Sequence, residues 1–210
     1  MPYRRTPQIQ ARMQAQRASI LAAAAELLAE GGYAACSIVA VSQRAGVASG
    51  TVYNHFANKA DLAAQLFRDI AGRELDAVRH AAAGGTALDR ATAVIETFAG
   101  RAMKEPRRAY ALLAEPVDPA VDALRLEFRR AFRDVFAAAI DDGVRSGELP
   151  PQNTPVVAAA LVGAIAEALV TPLATASRPP SAGDAAVPDA VADLITFTDR
   201  AVGGRDHAHA

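Results

Sequence analysis

The chain has 210 residues, half of them apolar and none of them tryptophan, and its formal net charge is −1. This length permits one or two domains with a substantial core, and abundant alanine, leucine, arginine and glutamate favour helices throughout. The single cysteine, Cys36, excludes an intramolecular disulfide framework and indicates a reducing compartment. The longest apolar run, residues 156–166, is shorter than the roughly 20 residues that span a bilayer, so we expect a cytoplasmic protein without a membrane partner.

Charge is distributed unevenly along the chain. Residues 1–60 carry six basic and two acidic groups, a net charge of +4, and the remaining 150 residues carry sixteen basic and twenty-one acidic groups, a net charge of −5. A basic N-terminal segment on an acidic remainder favours a polyanionic partner for that segment alone.

The N-terminal residues predict a tail followed by a helix. Residues 1–10 are polar and basic, and we expect them to be disordered. Their arginines, together with Arg12, fit either an arm that follows DNA or a solvated tail. A helix is expected from about residue 11 to Glu30, ended by Gly31 and Gly32. Its apolar face consists of Ile20, Leu21, Ala24, Leu27 and Leu28.

Two short helices joined by a glycine turn follow. Ser37 is a suitable N-cap for the first of them, which Gly46 ends after about two turns. The next begins near Ser49 and buries Val52 and Phe56, which are four residues apart. Two short helices joined by a turn of three or four residues are typical of a helix-turn-helix unit.

The outward face of the second short helix has a distinctive layout. At about 100° per residue, Gly50, Thr51 and Asn54 lie opposite the apolar positions, and Tyr53 and His55 flank them. A helix in the DNA major groove needs a centre with little bulk and flanks that reach the phosphates. Gly50 has no side chain where the backbone would come nearest to the bases.

The start of the next helix adds an independent indication. Asn58 is a suitable N-cap, with Asp61 at the third position as in a capping box. Lys59 lies in the first turn, where the positive end of the helix dipole disfavours a cation unless an anion is bound there. Ser37 occupies a comparable position at the start of the preceding short helix.

The segment "ILAAAAELLAEGGYAACSIVAVSQRAGVASGTVYNHFANKADL" resembles the DNA-binding domain of the TetR family of bacterial transcriptional regulators, over roughly residues 17–67. The resemblance implies a homodimer with a three-helix DNA-binding domain and a larger helical ligand-binding and dimerisation domain. By matched position it implies phosphate contacts from Tyr53, His55 and Lys59, with Ser37 and Thr51 near the DNA backbone. It implies base-reading or groove-facing positions for Val39, Arg44, Ser49, Gly50 and Asn54.

Two residues depart from the family pattern. Ala48 stands where many members have a serine, so the second short helix lacks its usual cap or moves that role to Ser49. Val39 is apolar where a base-reading residue is common, which leaves a contact with a thymine methyl group or none.

Longer helical patterns fill the rest of the chain. One runs from Leu88 to Ala102, and Pro106 and the stretch "AEPVDPAV" then break the chain. A long helix runs from Val121 to Val144 and is closed by Gly147. Another begins near Thr154 and reaches Pro172 or slightly beyond, the segment "SRPPSAGDAAVP" is a loop, and a last helix carries Val191 to Val202. The last two helices are the most apolar, and small residues in the first of them would allow close approach in a four-helix dimer interface.

Candidate effector contacts in the C-terminal domain rest on weaker patterns. Phe98, Tyr110, Phe128 and Phe132 line a ligand cavity or belong to the core. Glu167 interrupts an otherwise apolar helix and faces solvent, or pairs across a dimer or with a ligand. Cys36 fits a buried packing residue better than a redox sensor, and His207 and His209 on the C-terminal tail are a weak metal signal.

The sequence predicts an all-α protein with four parts: a basic arm (1–10), an N-terminal three-helix helix-turn-helix DNA-binding domain (11–67), a C-terminal helical bundle for effector binding and dimerisation (68–203) and a flexible tail (204–210). We expect a ligand-responsive repressor, active as a homodimer on double-stranded palindromic operator DNA, with an unidentified small-molecule effector, no cofactor, no metal and no enzymatic activity. A helical small-molecule-binding or enzymatic protein that retains such an N-terminal unit is the alternative. A DNA binder without an effector would lack a cavity.

Overall fold

The computed structural model describes residues 7–177 and 187–203, and every regular element within these ranges is an α-helix. The helices are α1 (Pro7–Ala35), α2 (Ile38–Arg44), α3 (Ser49–Tyr53), α4 (Lys59–Ala81), α5 (Ala87–Lys104), α6 (Pro106–Leu113), α7 (Pro119–Ser146), α8 (Thr154–Ala176) and α9 (Val187–Ala201). The all-α class expected from the sequence is confirmed. The expected loop of residues 177–188 lies outside the described residues at 178–186 and is wrong for Val187 and Pro188, which begin α9; the tail of residues 204–210 lies outside the described residues.

Helix α1 differs from the expected helix at both ends. It begins at Pro7, so the prediction of a disordered arm is wrong for residues 7–10, while residues 1–6 lie outside the described part. Proline is well suited to the first turn of a helix, because the N–H group that it lacks has no helical partner there. At the other end, Gly32 has a φ of 69° and interrupts the helix where the two glycines predicted a stop.

Helix α6 was missed in the sequence. Pro106 was interpreted only as a break, but it stands at the first turn of a helix that ends at Leu113. The chain does break at this proline, since α5 ends at Lys104 and a new helix starts at Pro106. This short helix packs against both α1 and α8, so it lies between the two halves of the molecule.

Buried apolar side chains form two cores. We call α1–α3 with the first half of α4 (residues 59–71) the head, and the remaining helices the body. The head core includes Ile20, Val41, Val52 and Phe56, and Ala111, Val121 and Leu124 from α6 and α7 complete it. The body core lies between α5, α7, α8 and α9. The expected domain boundary at residues 67–68 falls inside α4, a continuous helix that supplies side chains to both cores.

Helix α8 has an unusual surface. Its 23 residues are, by length and composition, apolar enough to cross a membrane, although the longest uninterrupted apolar run in the sequence is shorter. One side packs in the body core through Leu161, Ile165, Leu169 and Leu173. The other side exposes small and apolar residues, so part of this helix is left without a partner within the described chain.

Candidate DNA interface and effector cavity

The helix-turn-helix is built as the spacing of apolar residues predicted. Val41 of α2, Val52 of α3 and Phe56 just after α3 are at most 1% exposed, so they fix the two short helices on the head core. The side chains opposite them point outward, and Tyr53 is 55% exposed. Asn54 is exposed as well, and Thr51 is half-buried. A Cβ atom at Gly50 would meet no atom within 4 Å, so the centre of this face is open.

Helix α2 supplies two of the predicted contacts. Ser37 caps it, and its hydroxyl accepts a hydrogen bond from the backbone N–H of Ala40 at 3.1 Å. Val39 is 58% exposed, which leaves it free to contact another surface. Both residues therefore lie where the sequence placed them, although their role toward DNA stays a prediction.

Arg44 is held in a way the sequence did not indicate. Its guanidinium forms two hydrogen bonds with Glu30, both 2.8 Å, and one with Glu26 at 3.1 Å. These hydrogen bonds raise the pKa of Arg44, and the bond from Arg44 lowers the pKa of Glu30. All three groups are exposed, and exposed ion pairs contribute little free energy, so Arg44 can exchange these carboxylates for phosphate.

The start of α3 has no side-chain cap. Ala48 occupies the N-cap position and makes no capping hydrogen bond. The Ser49 hydroxyl lies 3.0 Å from the hydroxyl of Ser42, which in turn donates to the carbonyl oxygen of Val39. The cap role has therefore not moved to Ser49, whose side chain joins α3 to α2 instead.

His55 has a partner in α1 that sequence patterns did not reveal. Its Nε2 atom lies 3.0 Å from the side-chain oxygen of Gln16. The neighbouring Arg17 lies over the ring of Phe56, 5.2 Å from its centroid, and donates to Gln65 at 2.9 Å. His55 therefore helps to hold α1 against the helix-turn-helix, and Gln16 and Arg17 extend the same surface.

The beginning of α4 follows the predicted capping pattern. The Asn58 side chain accepts a hydrogen bond from the N–H of Asp61 at 2.8 Å, and the Asp61 carboxylate accepts one from the N–H of Ala57 at 2.9 Å. Lys59 is exposed in this first turn and forms no ion pair with any residue of the described ranges. Lys59 follows Tyr53 and His55 closely in the sequence, and its ammonium group is available to an anion.

The body contains a narrow cavity whose surface is mostly apolar, with charged residues among those that line it. It measures about 90 Å³, and its wall includes Phe98, Phe128 and Phe132, as predicted. The ring centroids of Phe98 and Phe132 are 5.0 Å apart, and those of Phe128 and Phe132 are 5.1 Å apart. The centroids of Phe128 and Phe67 are 6.1 Å apart. This aromatic row leads from the cavity to Phe67, which belongs to the head core.

Two of the predicted effector contacts are not in the cavity wall. Tyr110 packs against the body core, with the guanidinium of Arg107 5.9 Å from its ring centroid. Glu167 is exposed on α8 in the single chain and lies outside the cavity wall, so it faces solvent or a second subunit rather than this cavity. Tyr110 was chosen by helical spacing and Glu167 because it interrupts an apolar helix, and neither pattern defines which side of a helix faces the cavity.

Charged residues at the cavity were missed in the sequence. Its wall includes four arginines and two glutamates: Arg101, Arg108, Arg125, Arg129, Glu74 and Glu105. Arg101 pairs with Glu74 at 2.5 Å, and Arg108 pairs with Glu105 at 2.5 Å. The spacing of three residues between Glu105 and Arg108 was a visible signal, but no pattern linked Glu74 on α4 to Arg101 on α5.

A hydrogen-bonded junction connects the cavity to the head. Arg125, in the cavity wall, donates to the carbonyl oxygens of Ala111 and Glu115 at 2.7 and 2.6 Å. The Glu115 carboxylate accepts from the N–H of Tyr33 at 3.3 Å and pairs with Arg107, which donates to the carbonyl oxygen of Gly31 at 3.1 Å. The end of α6 is thus tied to the α1 kink on one side and to the cavity on the other.

Comparisons of the sequence with known proteins match the head, which contains the helix-turn-helix. Residues 20–66 match the family model described as bacterial regulatory proteins, tetR family. The fatty acid metabolism regulator protein of Bacillus subtilis (strain 168) is 39% identical over 57 residues, which cover 27% of this chain and 29% of that protein. The match thus spans less than a third of the relative's length.

Solved structures agree in fold over nearly the whole chain. The transcriptional regulator FadR from Bacillus subtilis, solved with stearoyl-CoA, superposes with a TM-score of 0.73 and 22% identity, covering 90% of this chain and 99% of that one. A TetR-family regulator from Rhodococcus sp. gives a TM-score of 0.74 at 20% identity, covering 90% and 100%. At such identities these likenesses establish the fold. The matched family and relatives are regulators and not enzymes, in agreement with the expectation from the sequence. The resemblance in the helix-turn-helix is confirmed: residues 20–66 carry the DNA-binding domain pattern of the tetR family of bacterial regulatory proteins, and the rest of the chain shares the fold of such regulators.

Proposed function

We propose that this protein is a DNA-binding transcriptional regulator that binds a palindromic operator as a homodimer and is released by a small-molecule effector. The observation that carries the DNA-binding part is the outward face of the helix-turn-helix. Tyr53 and Lys59 are exposed, and the position at Gly50 is open; the buried Val52 and Phe56 lie within three residues of them in the chain. The open centre suits base edges, and the flanking hydroxyl and ammonium groups suit phosphates.

The homodimer is supported by the unpartnered side of α8. Val156 is 61% exposed, and Ala160, Gly163 and Glu167 follow it on the same exposed side. On α9, Phe197 is 46% exposed. Small residues let two helices approach closely, and the resemblance implies that the last two helices form the dimer interface in this family. A two-fold dimer would present two α3 helices to successive major grooves of the operator in the cytoplasm.

The effector is supported by the cavity and its link to the head. A largely apolar wall that also includes four arginines suits a molecule with an apolar part and a negative charge. The related Bacillus subtilis regulator was solved with stearoyl-CoA, a molecule of this kind. Effector binding in the body would favour the position of the two heads that does not fit the operator. The free energy available for this change equals the difference between the effector's binding free energies in the DNA-binding and the released state.

The DNA-binding proposal is tested by selecting bound sequences from random duplexes and measuring their affinity by fluorescence anisotropy. We expect selective binding that weakens with salt, and a loss of roughly 10-fold or more for Tyr53→Ala combined with Lys59→Ala. Arg79→Ala, which removes one charge at an exposed site near the far end of α4, is the control and should bind like the unaltered protein. Equal affinities for the double variant and the control would disprove the interface.

A further inference from the structure

The beginning of α1 extends well past the head core. The first residue of this helix in the head core is Ile20, thirteen residues after Pro7, which corresponds to roughly 20 Å of helix. None of residues 7–19 is buried, and ten of these thirteen are exposed. The family model matches residues 20–66, so the preceding part of α1 lies outside the pattern that forms the helix-turn-helix. We call residues 7–19 the extension; most of its side chains are open to a partner.

Two contacts fix the extension relative to the helix-turn-helix. The side-chain oxygen of Gln16 lies 3.0 Å from Nε2 of His55, just after α3. The guanidinium of Arg17 donates to the side chain of Gln65 on α4 at 2.9 Å and lies 5.2 Å from the ring centroid of Phe56. His55 is one of the residues predicted to contact phosphates, so the extension starts at the edge of the proposed DNA-binding surface.

One side of the extension carries long polar side chains. Gln8, Arg12 and Gln16 follow one another at steps of four residues, which places them within about 80° of the helix circumference. Gln8 and Arg12 are exposed, and Arg12 forms no hydrogen bond or ion pair with any residue of the described ranges. Along the helix axis, Arg12 lies roughly 6 Å and Gln8 roughly 12 Å beyond Gln16. This row of side chains therefore continues from His55 away from the head core.

The charge of this part of the chain suits a polyanion. The first 25 residues contain four arginines and no acidic residue. Glu26 and Glu30, the first two carboxylates of the chain, both pair with Arg44. The guanidinium of Arg12 is thus left without a carboxylate partner within the described ranges. A basic segment joined to a surface that already suits phosphates is expected to follow the same duplex.

We propose that the extension is a second DNA-binding element, in which Arg12 and Gln8 donate hydrogen bonds to phosphate oxygens beside the major groove that α3 enters. The proposal rests on the DNA-binding function proposed above and adds residues that lie outside the helix-turn-helix. The contacts come from side chains along one side of the helix. Because they are made to phosphates, they add affinity and fix the position of the head on the duplex without reading its sequence. Gln16 is a positioning residue, since its contact with His55 sets the direction of the helix that carries Arg12.

A helix presents these side chains better than a tail would. An arginine on a disordered tail loses backbone freedom when it binds, whereas the backbone of Arg12 is already fixed in α1. The extension consists mostly of alanine, glutamine and arginine, which favour helices, and Pro7 suits the first turn. The contacts of Gln16 and Arg17 hold its other end. The extension is therefore ordered before it meets the duplex.

The proposal is tested by fluorescence anisotropy at several salt concentrations, with the duplex selected in the DNA-binding test above and an unrelated duplex of the same length. We expect Arg12→Ala to weaken binding of both duplexes roughly 5-fold to 10-fold, because a phosphate contact does not depend on sequence. The plot of log association constant against log salt concentration should become less steep by about 2, since each of two subunits loses one phosphate contact that contributes about 0.9.

Arg79→Ala is the matched control, because it removes one positive charge from an exposed site near the other end of α4. It should leave the affinity and the salt slope unchanged. Arg12→Lys keeps the charge and should keep the salt slope of the unaltered protein. Equal slopes for Arg12→Ala and Arg79→Ala would overturn the proposal. A loss confined to the selected duplex would also overturn it, because Arg12 would then read bases.

Ala15→Pro tests whether Arg12 acts from a helix. Ala15 is exposed, and a proline there interrupts the helix while keeping every charge and leaving the head core, which starts at Ile20, intact. We expect a smaller helical signal in circular dichroism and a loss of affinity similar to that of Arg12→Ala. Unaltered affinity together with the smaller helical signal would show that the helix is not needed, and the proposed geometry would be wrong.

Gln16→Ala tests the positioning role. This variant removes the contact with His55 and should lower the affinity for both duplexes. Arg12→Ala should then have a smaller effect in the Gln16→Ala background than in the unaltered protein, because the two residues act through the same contact with the duplex. Additive losses would mean that Gln16 does not position Arg12, and this part of the proposal would be wrong.

The proposed function and this inference fail in different ways. If neither the unaltered protein nor any variant binds a duplex, the regulator itself is refuted. If the unaltered protein binds its selected duplex through Tyr53 and Lys59, and Arg12→Ala binds it equally well, the helix-turn-helix acts alone and only the inference is refuted. A reduced salt slope in Arg12→Ala, with the preference for the selected duplex kept, supports both.

Discussion

The head and the body hold their functional groups in opposite ways. In the head, Tyr53 and Lys59 lie on the outside of short helices, each within a few residues of the buried side chain that fixes it. In the body, the cavity lies inside, and its wall joins residues from α4 to α8 that are up to about a hundred positions apart. The head presents side chains on short helices that are fixed by nearby buried residues, and the body encloses a cavity whose shape depends on how several helices pack.

This difference indicates how the two regions can work together. A DNA-binding surface must keep its shape, and Val52 and Phe56 beneath it are fully buried. An effector cavity must change shape, and the row of phenylalanine rings around it can rearrange. The two regions meet at the junction of Arg107 and Glu115 with the α1 kink, and at the contact between Phe67 and Phe128. Substitutions at the head, the junction and the dimer face should therefore have separable effects.

The largest effect on stability is expected at the junction. Gly32 has a φ of 69°, and a Cβ atom there would overlap Nη2 of Arg107 and Oε2 of Glu115. Gly32→Ala should therefore lower the free energy of unfolding by about 3 kcal/mol, from backbone strain and the displaced ion pair together. Urea unfolding monitored by circular dichroism measures this loss.

Gly147→Ala is the matched control for that substitution. Gly147 ends α7 with a φ of 80°, but a Cβ atom there would meet nothing within 4 Å. It should lose only about 1 kcal/mol, from the left-handed backbone alone. Equal losses in the two variants would show that the ion pair of Arg107 and Glu115 contributes nothing at the kink.

The next largest effect, a loss of dimerisation and of operator affinity, is expected at the exposed side of α8. A Cβ atom at Gly163 would meet nothing within 4 Å in the single chain, so Gly163→Arg fits a monomer but not a close helix pair. We expect the dimer to dissociate, measured by sedimentation, and operator affinity to fall roughly 100-fold because one half-site is lost. Ala123→Arg, an exposed site on α7, should remain dimeric. A dimer that survives Gly163→Arg would place the interface elsewhere.

The sequence predicted the head better than the body, for physical reasons. The inward positions of Val52 and Phe56, the caps at Ser37 and Asn58, and the open position at Gly50 all depend on residues a few places apart. Helical periodicity and capping rules describe interactions over that range. The pairing of Arg44 with Glu30 and Glu26 was missed, because it joins two helices whose relative placement depends on the head core.

In the body, periodicity identified the helices but not the cavity. Phe98, Phe128 and Phe132 line it, whereas Tyr110, chosen by the same pattern, does not, and neither does Glu167, chosen because it interrupts an apolar helix. The difference arises because each helix has neighbours on several sides, and a repeat of three or four residues cannot tell a core contact from a cavity wall. Helix α6 was missed because Pro106 was interpreted as a break, although proline also starts helices.

A smaller effect is expected in the head at Gly50. Gly50→Ala places a methyl group in open space at an ordinary φ, and alanine favours helices by up to about 1 kcal/mol over glycine, so stability should not fall. Operator affinity should nevertheless drop roughly 10-fold, because the methyl group stands between the α3 backbone and the base edges. The same change from glycine to alanine thus lowers the free energy of unfolding at position 32 and lowers operator affinity at position 50. Unaltered operator affinity in anisotropy titrations of Gly50→Ala would mean that α3 does not approach the bases.

The smallest effect is expected at Cys36, which is buried in the head core next to the α1 kink. Burial raises the pKa of its thiol to about 11, and its Sγ atom lies 3.5 Å from the carbonyl oxygens of Ala24 and Gly32. At pH 8 only about one thiol in a thousand is then ionised, so labelling by a disulfide reagent should be roughly 100-fold slower than in the urea-unfolded chain.

Operator affinity should accordingly not change after treatment with peroxide. The contribution of Cys36 to stability is complete below pH 9, the ordinary pKa of the thiol, and is lost as the pH rises toward 11, because the unfolded chain releases its proton first. The stability of Cys36→Ala should therefore decline less than that of the unaltered protein between pH 9 and pH 11. A peroxide effect on DNA binding that is present in the unaltered protein and absent in Cys36→Ala would instead make the thiol a sensor, and the α1 kink that contacts it would then respond to oxidation as well as to the effector.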